Sequence, residues 1–326
     1  MPITAFRASY DGFEKTIRKK AIRNTMQYRP LGKTGINVSV ITLGTHQFSG
    51  EWAKKFLQVE VDKMISVAGE LGINCLDTAE CYGDHTVEAI ISGAIHGHRK
   101  DWIIATKFGH RFEGDNRGDP VKKIGAWSAT EVLKQLEDSL RALRTDFIDV
   151  YQFHSGTNAD FENEGLWKML GEQVHAGKIR HLGISVGGEL TAKHDTAQIQ
   201  RAPEVGASVV QMVYNRLKNE AVDDALPLAK SLDLGVFARV PLAKGFLSGH
   251  YQPGATFPAE DVRSTYSQEF NDGLLREIEI IQKTEVPAGA NMAQWALAWC
   301  LKNDAVASVI VGCKDEEQVR LNAASV

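Results

Sequence analysis

The stretch INCLDTAECYGDHTVEAIISGAIHGHRKDWIIATKF, residues 73–108, holds two short apolar runs with a longer segment between them. The runs INCLDTA (73–79) and WIIATKF (102–108) have the length and composition of buried strands. The segment between them is long enough to form a helix. A strand, a helix and a second strand joined in this way lie with the two strands parallel and the crossover right-handed.

The same alternation continues from about residue 38 to the end of the chain, without a linker rich in Pro, Gly and Ser. The other strand-like runs are VSVITLG (38–44), FIDVYQFH (147–154), RHLGISV (180–186), SVVQMVYN (208–215), LGVFARV (234–240) and ASVIVG (307–312). Alternating elements of this kind form either a doubly wound open sheet or a closed barrel. Eight repeats over roughly 275 residues favour a (β/α)8 TIM barrel.

The clearest helix is TEVLKQLEDSLRALR, residues 130–144, in which apolar residues recur at three- and four-residue spacing. Thr130 is its expected N-cap. Before the first barrel strand, residues 27–39 predict an N-terminal β-hairpin that closes the N-terminal end of the barrel. Residues 246–271 are rich in Gly, Pro and polar residues, and they predict a long loop over the active-site face.

Composition limits the class of protein. With 43% hydrophobic and 24% charged residues, the 326-residue chain is expected to bury a large core rather than remain disordered. We interpret residues 1–26 as an N-terminal extension and 27–326 as one barrel domain. The net charge of −4, with Lys and Arg scattered, argues against nucleic acid as a partner.

The four cysteines show no CxxC pair, which argues against disulfides or structural zinc and favours a cytoplasmic location. No apolar run reaches the roughly 18 to 20 residues that span a bilayer, so no membrane partner is expected. The N-terminus lacks the apolar stretch of a secretory signal. The sequence leaves a homo-oligomer open.

Polar residues occupy strand positions that should face the interior of the barrel. With period-two alternation, Asp77 shares a strand face with Cys75, Lys107 with Ile103 and Ala105, and His154 with Val150 and Gln152. In each case the last of these residues is titratable. They therefore lie at the C-terminal ends of neighbouring strands, where barrel enzymes place their chemistry. Tyr82 follows in the loop after Asp77, at the same rim.

These four side chains are suited to proton transfer. A tyrosine is a weak acid at neutral pH, and a nearby Lys107 ammonium lowers its pKa by stabilising the phenolate. Asp77 would neutralise and orient Lys107, and His154 would hydrogen-bond a substrate oxygen. Together they would polarise a carbonyl and protonate the alkoxide formed from it, with Tyr82 as the acid.

Simpler interpretations stay open for each residue. A buried ion pair with a purely structural role would also account for Asp77 and Lys107. A lone histidine such as His154 is more often a core residue. Cys81, His85 and His154 are metal-binding residue types, but they lack a recognisable ligand spacing, so we expect no metal site. A metal-dependent barrel lyase or hydrolase would lose its activity to chelators.

After residue 26 the chain resembles the aldo-keto reductase superfamily. The motifs are LDTAECYG (76–83), ATKFG (105–109) and DVYQFH (149–154), which look like the family segments carrying its catalytic Asp and Tyr, its Lys and its His. The resemblance implies that Asp77, Tyr82, Lys107 and His154 form the catalytic tetrad. It also implies extended NADP(H) binding and hydride transfer to a carbonyl carbon.

Further segments that resemble the family lie at or beyond strand ends and imply cofactor contacts. Ser185 and Gln211 would bind the carboxamide, and the backbone around Leu242 and Gly245 the pyrophosphate. Lys314 would face the 2′-phosphate. The other implied cofactor-binding residues are Gly44, Thr45, Asp77, Arg239, Pro241, Leu247, Gly312, Gln318 and Asn322, the last two at the adenine end.

Physical chemistry supports the phosphate assignment, because a helix beginning near Asp315 with Lys314 beside its N-terminus forms an anion site. The alternative is a solvated Lys314 beside the acidic residues 315–317. The family's usual Ser-Asn pair is here Ser185-Val186, so one carboxamide contact is absent or supplied elsewhere.

Where many members place an aromatic ring on the nicotinamide, FARVPL (237–242) places Arg239. The pattern is similar to that of bacterial sugar and aldehyde reductases. Arg239 would stack on the ring, meet an anionic substrate group, or pair with a carboxylate.

The resemblance implies an aldehyde, ketone or sugar carbonyl as the small-molecule substrate. Its binding site would be formed by Tyr82 and His154 with loops that carry His46, Phe48, Trp52, Trp127 and residues 246–271. The alternative function is an NADP(H)-binding, redox-sensing regulatory subunit of the same fold, as in the channel-associated branch of the superfamily.

Overall fold

Twelve strands and ten α-helices lie in the residues that the computed structural model describes, 26–50, 54–113, 122–187, 196–259 and 261–326. The strands are β1 (Tyr28–Pro30), β2 (Asn37–Ser39), β3 (Ile41–Gly44), β4 (Cys75–Asp77), β5 (Ile103–Phe108), β6 (His110–Glu113), β7 (Lys122–Gly125), β8 (Ile148–His154), β9 (Ile179–Ser185), β10 (Ala207–Val213), β11 (Gly235–Arg239) and β12 (Val306–Gly312). The helices span Gln58–Glu70, Thr86–Ala94, Ala129–Leu143, Asn158–Phe161, Glu164–His175, Ala197–Gln200, Ala225–Ser231, Gln268–Thr284, Met292–Leu301 and Glu316–Ala323.

Eight parallel strands close into a barrel in the order β10-β11-β12-β3-β4-β5-β8-β9, which confirms the predicted (β/α)8 architecture. Seven of the eight strands match the sequence prediction within two residues at each end. The first predicted strand, 38–44, is divided, because β2 pairs with the hairpin strand β1 and only β3 enters the barrel. Apolar residues at alternate positions, among them Cys75, Ala105 and Val150, form one interior cluster, as the period-two pattern requires.

The predicted N-terminal hairpin is present, with β1 and β2 antiparallel. Its turn inserts Leu31 into the interior cluster of the barrel, where the side chain is completely buried. Lys33 N donates to Asp233 O (3.1 Å), just before β11 begins. Gly32 has a φ of +50°, and a Cβ there would lie 2.3 Å from Gly235 N, so this close approach requires glycine. The hairpin therefore closes the N-terminal end of the barrel.

The first long helix after β7 begins one residue earlier than predicted and has a different cap. Ser128, not Thr130, is the N-cap, because its side chain accepts from Glu131 N (3.2 Å) while Thr130 already lies within the helix. Both serine and threonine are good N-caps, so the local sequence alone did not distinguish them.

The segment 246–271 is only partly a loop, which corrects the sequence interpretation. Short 3-10 helices span Ala243–Ser248 and Val262–Thr265, and a 17-residue helix begins at Gln268. Phe246 and Leu247 are completely buried against the apolar face of that helix. The apolar residues of this segment therefore form a satellite core that holds the rest of it against the barrel.

A second hairpin was not predicted from the sequence. Strands β6 and β7 pair antiparallel directly after β5, with His110 opposite Gly125. This hairpin places His110 next to the C-terminal end of β8.

The predicted N-terminal extension lies outside the described residues except for Met26, which is buried beside Gly72. Among the described helices, none combines the length and the apolar character needed to cross a membrane.

We expect Ser128→Ala to lower the free energy of unfolding by about 1 kcal/mol, because it removes the hydrogen bond that satisfies Glu131 N. Thr130→Ala is the matched control, exposed on the same first turn, and should change stability by less than about 0.5 kcal/mol. Urea denaturation measures both values. A larger loss for Thr130→Ala would show that the helix is capped differently in solution.

Candidate active site

Three of the predicted catalytic residues lie at the C-terminal ends of adjacent barrel strands. Asp77 ends β4, Lys107 is the penultimate residue of β5, and His154 ends β8. Strands β4, β5 and β8 are hydrogen-bonded neighbours with parallel register. The barrel thus brings together residues that are far apart in the sequence.

Lys107 is the centre of this group and is buried. Its Nζ donates to Asp77 Oδ2 (2.9 Å) and to Thr78 O (2.7 Å), and lies 3.4 Å from the hydroxyl of Tyr82. Burial works against the ammonium, but Asp77 and Tyr82 outweigh it, so the pKa of Lys107 lies above its ordinary value. Lys107 therefore carries its charge inside the barrel.

Asp77 is held through both carboxylate oxygens. Oδ2 accepts from Lys107, and Oδ1 accepts from Gln211 Nε2 (2.8 Å). The same Gln211 nitrogen also donates to Gln152 Oε1 (3.2 Å), so both of its hydrogens are used. This leaves the amide oxygen of Gln211 for any contact with a carboxamide.

Tyr82 lies in a tight turn between β4 and the helix Thr86–Ala94. Gly83, Asp84 and His85 have φ of 63°, 50° and 64°, and this left-handed run turns the chain at once into the helix. His85 N donates to Glu80 O (2.7 Å) and Val87 N to Tyr82 O (3.2 Å), which holds the turn. The tyrosine hydroxyl is thereby directed at Lys107.

The ionisation of Tyr82 differs from the sequence expectation. Burial raises its pKa to about 12, and the opposing effect of the Lys107 charge offsets this only in part. The sequence indicated only the effect of the Lys107 ammonium, which lowers the pKa of Tyr82, whereas desolvation of the phenolate has the larger effect and raises that pKa. Tyr82 is therefore held as a neutral phenol with a proton to give.

His154 faces Tyr82 across the rim, with ring centroids 6.4 Å apart. Its Nδ1 lies 3.7 Å from Cys81 Sγ, and the ring of His110 packs edge-on at 4.9 Å. Burial, and then the charge of Lys107, hold the pKa of His154 well below its ordinary value. The neutral imidazole can donate or accept a hydrogen bond.

The residues predicted to contact substrate lie in different surroundings. The ring of His46 lies 4.6 Å from that of Tyr82, at the rim. Trp127 packs on Phe153 (4.5 Å) and on His110 (5.6 Å), so it borders the rim through His110. Phe48 is buried, with its ring centroid 5.0 Å from that of Phe56. Trp52 lies outside the described residues.

The predicted cofactor residues lie around the same rim. Gly44 and Gly312 are register partners at the ends of β3 and β12, Thr45 donates to Asp77 O (2.9 Å), and Ser185 ends β9. A Cβ on Gly44 would lie 3.0 Å from Ile310, so packing within the protein already accounts for that glycine. Arg239 ends β11, and its Nη2 donates to Val186 O (3.2 Å).

The loop after β11 has an unusual backbone. Val240, Ala243 and Lys244 have φ of 57°, 48° and 57°, and Gly245 follows at 89°. A positive φ is rare for any residue with a side chain and rarest for a β-branched one such as Val240. Such strained backbone conformations are energetically costly. They persist where the surrounding structure imposes them, and they cluster at ligand-binding sites. Pro241, Leu242 and Leu247 belong to this loop.

The end of β12 leads into a capped helix, as predicted. Asp315 caps the helix by accepting from Gln318 N (2.8 Å), and Gln318 Oε1 accepts from Lys314 N (3.0 Å). Asn322 Nδ2 donates back to Gly312 O (3.4 Å). Lys314 is half-buried at the helix N-terminus.

One residue near this helix was missed in the sequence. The guanidinium of Arg263 pairs with Asp261 (2.7 Å) and lies against Gly245, where a Cβ would be 3.3 Å from its Nη1. The Arg263 hydrogen bonds lower the pKa of Asp261 despite its burial, and Lys314 contributes to the same shift. Arg263 lies in the segment 246–271, which the sequence predicts to be a loop. No pattern in that segment indicates a role for this arginine.

Two more residues at the rim were missed, Glu80 and His110. His110 N donates to Glu80 Oε1 (2.9 Å), which joins the turn after β4 to the start of β6. Of the metal-binding types noted in the sequence, Cys81 and His154 are in contact, but His85 lies apart, paired with Glu88 (2.6 Å).

Comparison with known proteins shows the family of this chain. The model of the Aldo/keto reductase family matches residues 40–326. The chain is 31% identical to the oxidoreductase YqkF of Bacillus subtilis, over 91% of this chain and 90% of that one. It is 28% identical to a probable voltage-gated potassium channel subunit beta of Arabidopsis thaliana, over 92% and 91%.

A solved structure shares the fold. An aldo-keto reductase from Bacillus halodurans, in its holo form, superposes with a TM-score of 0.74 at 28% identity, covering 92% of this chain and 90% of that one. With a family model matched over most of its length and a closed eight-stranded barrel, the chain is an oxidoreductase that belongs to the aldo/keto reductase family.

Proposed function

We propose that the protein reduces an aldehyde, ketone or sugar carbonyl to the alcohol with NADPH, and that Tyr82 is the general acid. The observation that carries the proposal is the buried Lys107 ammonium, 2.9 Å from Asp77 and 3.4 Å from the Tyr82 hydroxyl. A structural ion pair would not need a phenol at the same ammonium. Asp77, Tyr82, Lys107 and His154 are the catalytic residues of this proposal.

The roles follow from the contacts. When bound, NADPH supplies a hydride to the carbonyl carbon. Tyr82 donates its proton to the carbonyl oxygen as negative charge develops there, and Lys107 stabilises the phenolate that remains. Asp77 keeps the ammonium in place. The neutral His154 hydrogen-bonds the same oxygen and orients the substrate.

The residues around the rim fit a dinucleotide phosphate. Lys244 lies in the loop after β11, and the guanidinium of Arg263 lies against Gly245 of the same loop. Lys314 precedes the N-cap of the last helix, where phosphate groups are favoured by charge and by the helix dipole. Ser185 and the amide oxygen of Gln211 would hold the carboxamide. Gln318 and Asn322 would meet the adenine end, and Arg239 would lie beside the nicotinamide.

His46, at the rim beside Tyr82, and Trp127 would contact the substrate. Turnover of a panel of aldehydes, ketones and sugars, followed by NADPH absorbance beside NADH, tests the assignment directly. Tight cofactor binding with negligible turnover on the whole panel would instead support a redox-sensing regulatory subunit of the same fold.

Tyr82→Phe should lower kcat by about two to four orders of magnitude, the usual contribution of a positioned general acid, and should leave NADPH affinity nearly unchanged. Tyr151→Phe is the matched control, because it removes a buried hydroxyl that has no hydrogen-bond partner among the described residues. Steady-state kinetics and fluorescence titration give the two values. Full turnover by the Tyr82→Phe enzyme would exclude Tyr82 as the acid.

Lys107→Met should abolish most turnover and cost about 3–5 kcal/mol of stability, because it leaves Asp77 as an uncompensated buried charge. The double variant Asp77→Asn with Lys107→Met should recover part of that stability but none of the activity. Chemical denaturation and kinetics of Lys107→Met, Asp77→Asn and the double variant provide the cycle. Additive effects on stability would mean that the pair is not coupled.

Lys314→Ala should weaken NADPH binding about ten- to a hundredfold and NADH binding little, since a charge-assisted contact to phosphate contributes about 1–3 kcal/mol. Arg320→Ala, an exposed cation at the other end of the same helix, serves as the control. Equal losses for both cofactors would show that Lys314 does not contact the 2′-phosphate.

A further inference from the structure

Four side chains with metal-binding atoms meet beside Tyr82. They are Glu80 and Cys81 from the turn after β4, His110 from β6 and His154 from the end of β8. One ligand atom of each lies within 4.8 Å of the ligand atoms of the other three. The group combines a thiol, two imidazoles and a carboxylate from three separate elements.

The spacing suits a tetrahedral metal ion. In zinc sites the metal–ligand bonds of about 2.0–2.3 Å place ligand atoms roughly 3.3 to 3.8 Å apart. Cys81 Sγ lies 3.7 Å from His154 Nδ1, and His110 Nδ1 lies 3.4 Å from Glu80 Oε1. Two of the ligand pairs are therefore already at the separation that one metal ion requires.

Two buried polar atoms in the group lack a hydrogen bond. Glu80 is 2% exposed, and its Oε1 accepts from His110 N. Within the described residues, the buried atoms Glu80 Oε2 and His110 Nδ1 have no hydrogen-bond partner. Leaving buried polar atoms unsatisfied destabilises a fold, so their retention here points to a ligand between them.

We propose that Glu80, Cys81, His110 and His154 bind a divalent transition metal of the zinc class, and that the bound metal inhibits carbonyl reduction. Binding would form a metal–sulfur bond and release the thiol proton to solvent. The carboxylate and thiolate would balance the charge of the ion. Thiolate and imidazole ligands select Zn²⁺ or Co²⁺ over Mg²⁺ and Ca²⁺.

The inhibition rests on the proposed function, because the ion would hold one of its residues. A metal ion bound at His154 Nδ1 would fix the orientation of the imidazole that is proposed to position the substrate oxygen. The ion would also fix the turn that carries Tyr82. Metal binding itself does not depend on the proposed reaction and can be measured without it.

Cobalt(II) alone is the probe for binding. Titration of the full chain should give one Co²⁺ per chain with a near-ultraviolet thiolate-to-cobalt absorption band. Cys81→Ser should lose that band, and His110→Asn should weaken binding by at least the roughly 10- to 100-fold that loss of an outer-shell partner costs. His98→Asn, an exposed histidine outside the group, should bind Co²⁺ like the parent. Circular dichroism and NADPH binding confirm that each variant is folded.

Zinc(II) alone tests the inhibition. Micromolar Zn²⁺ should suppress carbonyl reduction by the parent, and EDTA should restore it. Any turnover that remains in His110→Asn should require correspondingly more Zn²⁺ for the same suppression.

Unchanged Co²⁺ affinity in both Cys81→Ser and His110→Asn would overturn the site. An equal loss of Co²⁺ affinity in His98→Asn would overturn it as well. One thiolate-bound Co²⁺ in a chain without turnover would contradict the proposed function alone, whereas normal turnover without stoichiometric binding would contradict the metal site alone.

Discussion

The ion pair between Asp77 and Lys107 is the constraint on which the active-site rim depends. A buried carboxylate and a buried ammonium are tolerated only when each is paired and its remaining hydrogen-bonding capacity is satisfied. Here Thr78 O accepts from Lys107, and Gln211 donates to the second oxygen of Asp77. These contacts join β4, β5 and β10, which are not all neighbours, so they exist only in the closed barrel.

Burial and the charge of Lys107 together set the protonation states of the groups around the pair. Desolvation is the larger effect on Tyr82 and raises its pKa, while the Lys107 charge limits that rise. Burial and the same charge lower the pKa of His154 and hold it neutral. A neutral phenol and a neutral imidazole beside a fixed positive charge are suited to protonating an oxygen that becomes negative, which is the chemistry proposed for this rim.

The proposed metal site shares one residue, His154, with the proposed reaction. Cys81 precedes Tyr82 directly, so a ligand that fixes the turn after β4 also acts on Tyr82, the proposed acid. The turn is already restrained by three successive positive φ values and by the bond from His110 N to Glu80. Proton transfer and metal binding would therefore compete for one small region of the barrel rim rather than occupy separate sites.

The sequence by itself determined the barrel and most of the residues at its candidate active-site rim. Strand identity and inward-facing positions are local properties, carried by period-two alternation over five to seven residues, so the pattern alone assigns Asp77, Lys107 and His154 to strand ends. The motif around Tyr82 then implies, by resemblance, that this residue is the acid.

Only the tertiary structure decided which distant groups touch and how strongly each is buried. The hairpin β6–β7 brings His110 to His154, and no spacing in the sequence encodes that contact. Burial of Phe48 and the balance of desolvation against charge at Tyr82 likewise depend on what packs around them. The physical reason is that periodicity reports the neighbours along a strand, whereas desolvation and ligand geometry sum over every element that the closed barrel brings to one rim.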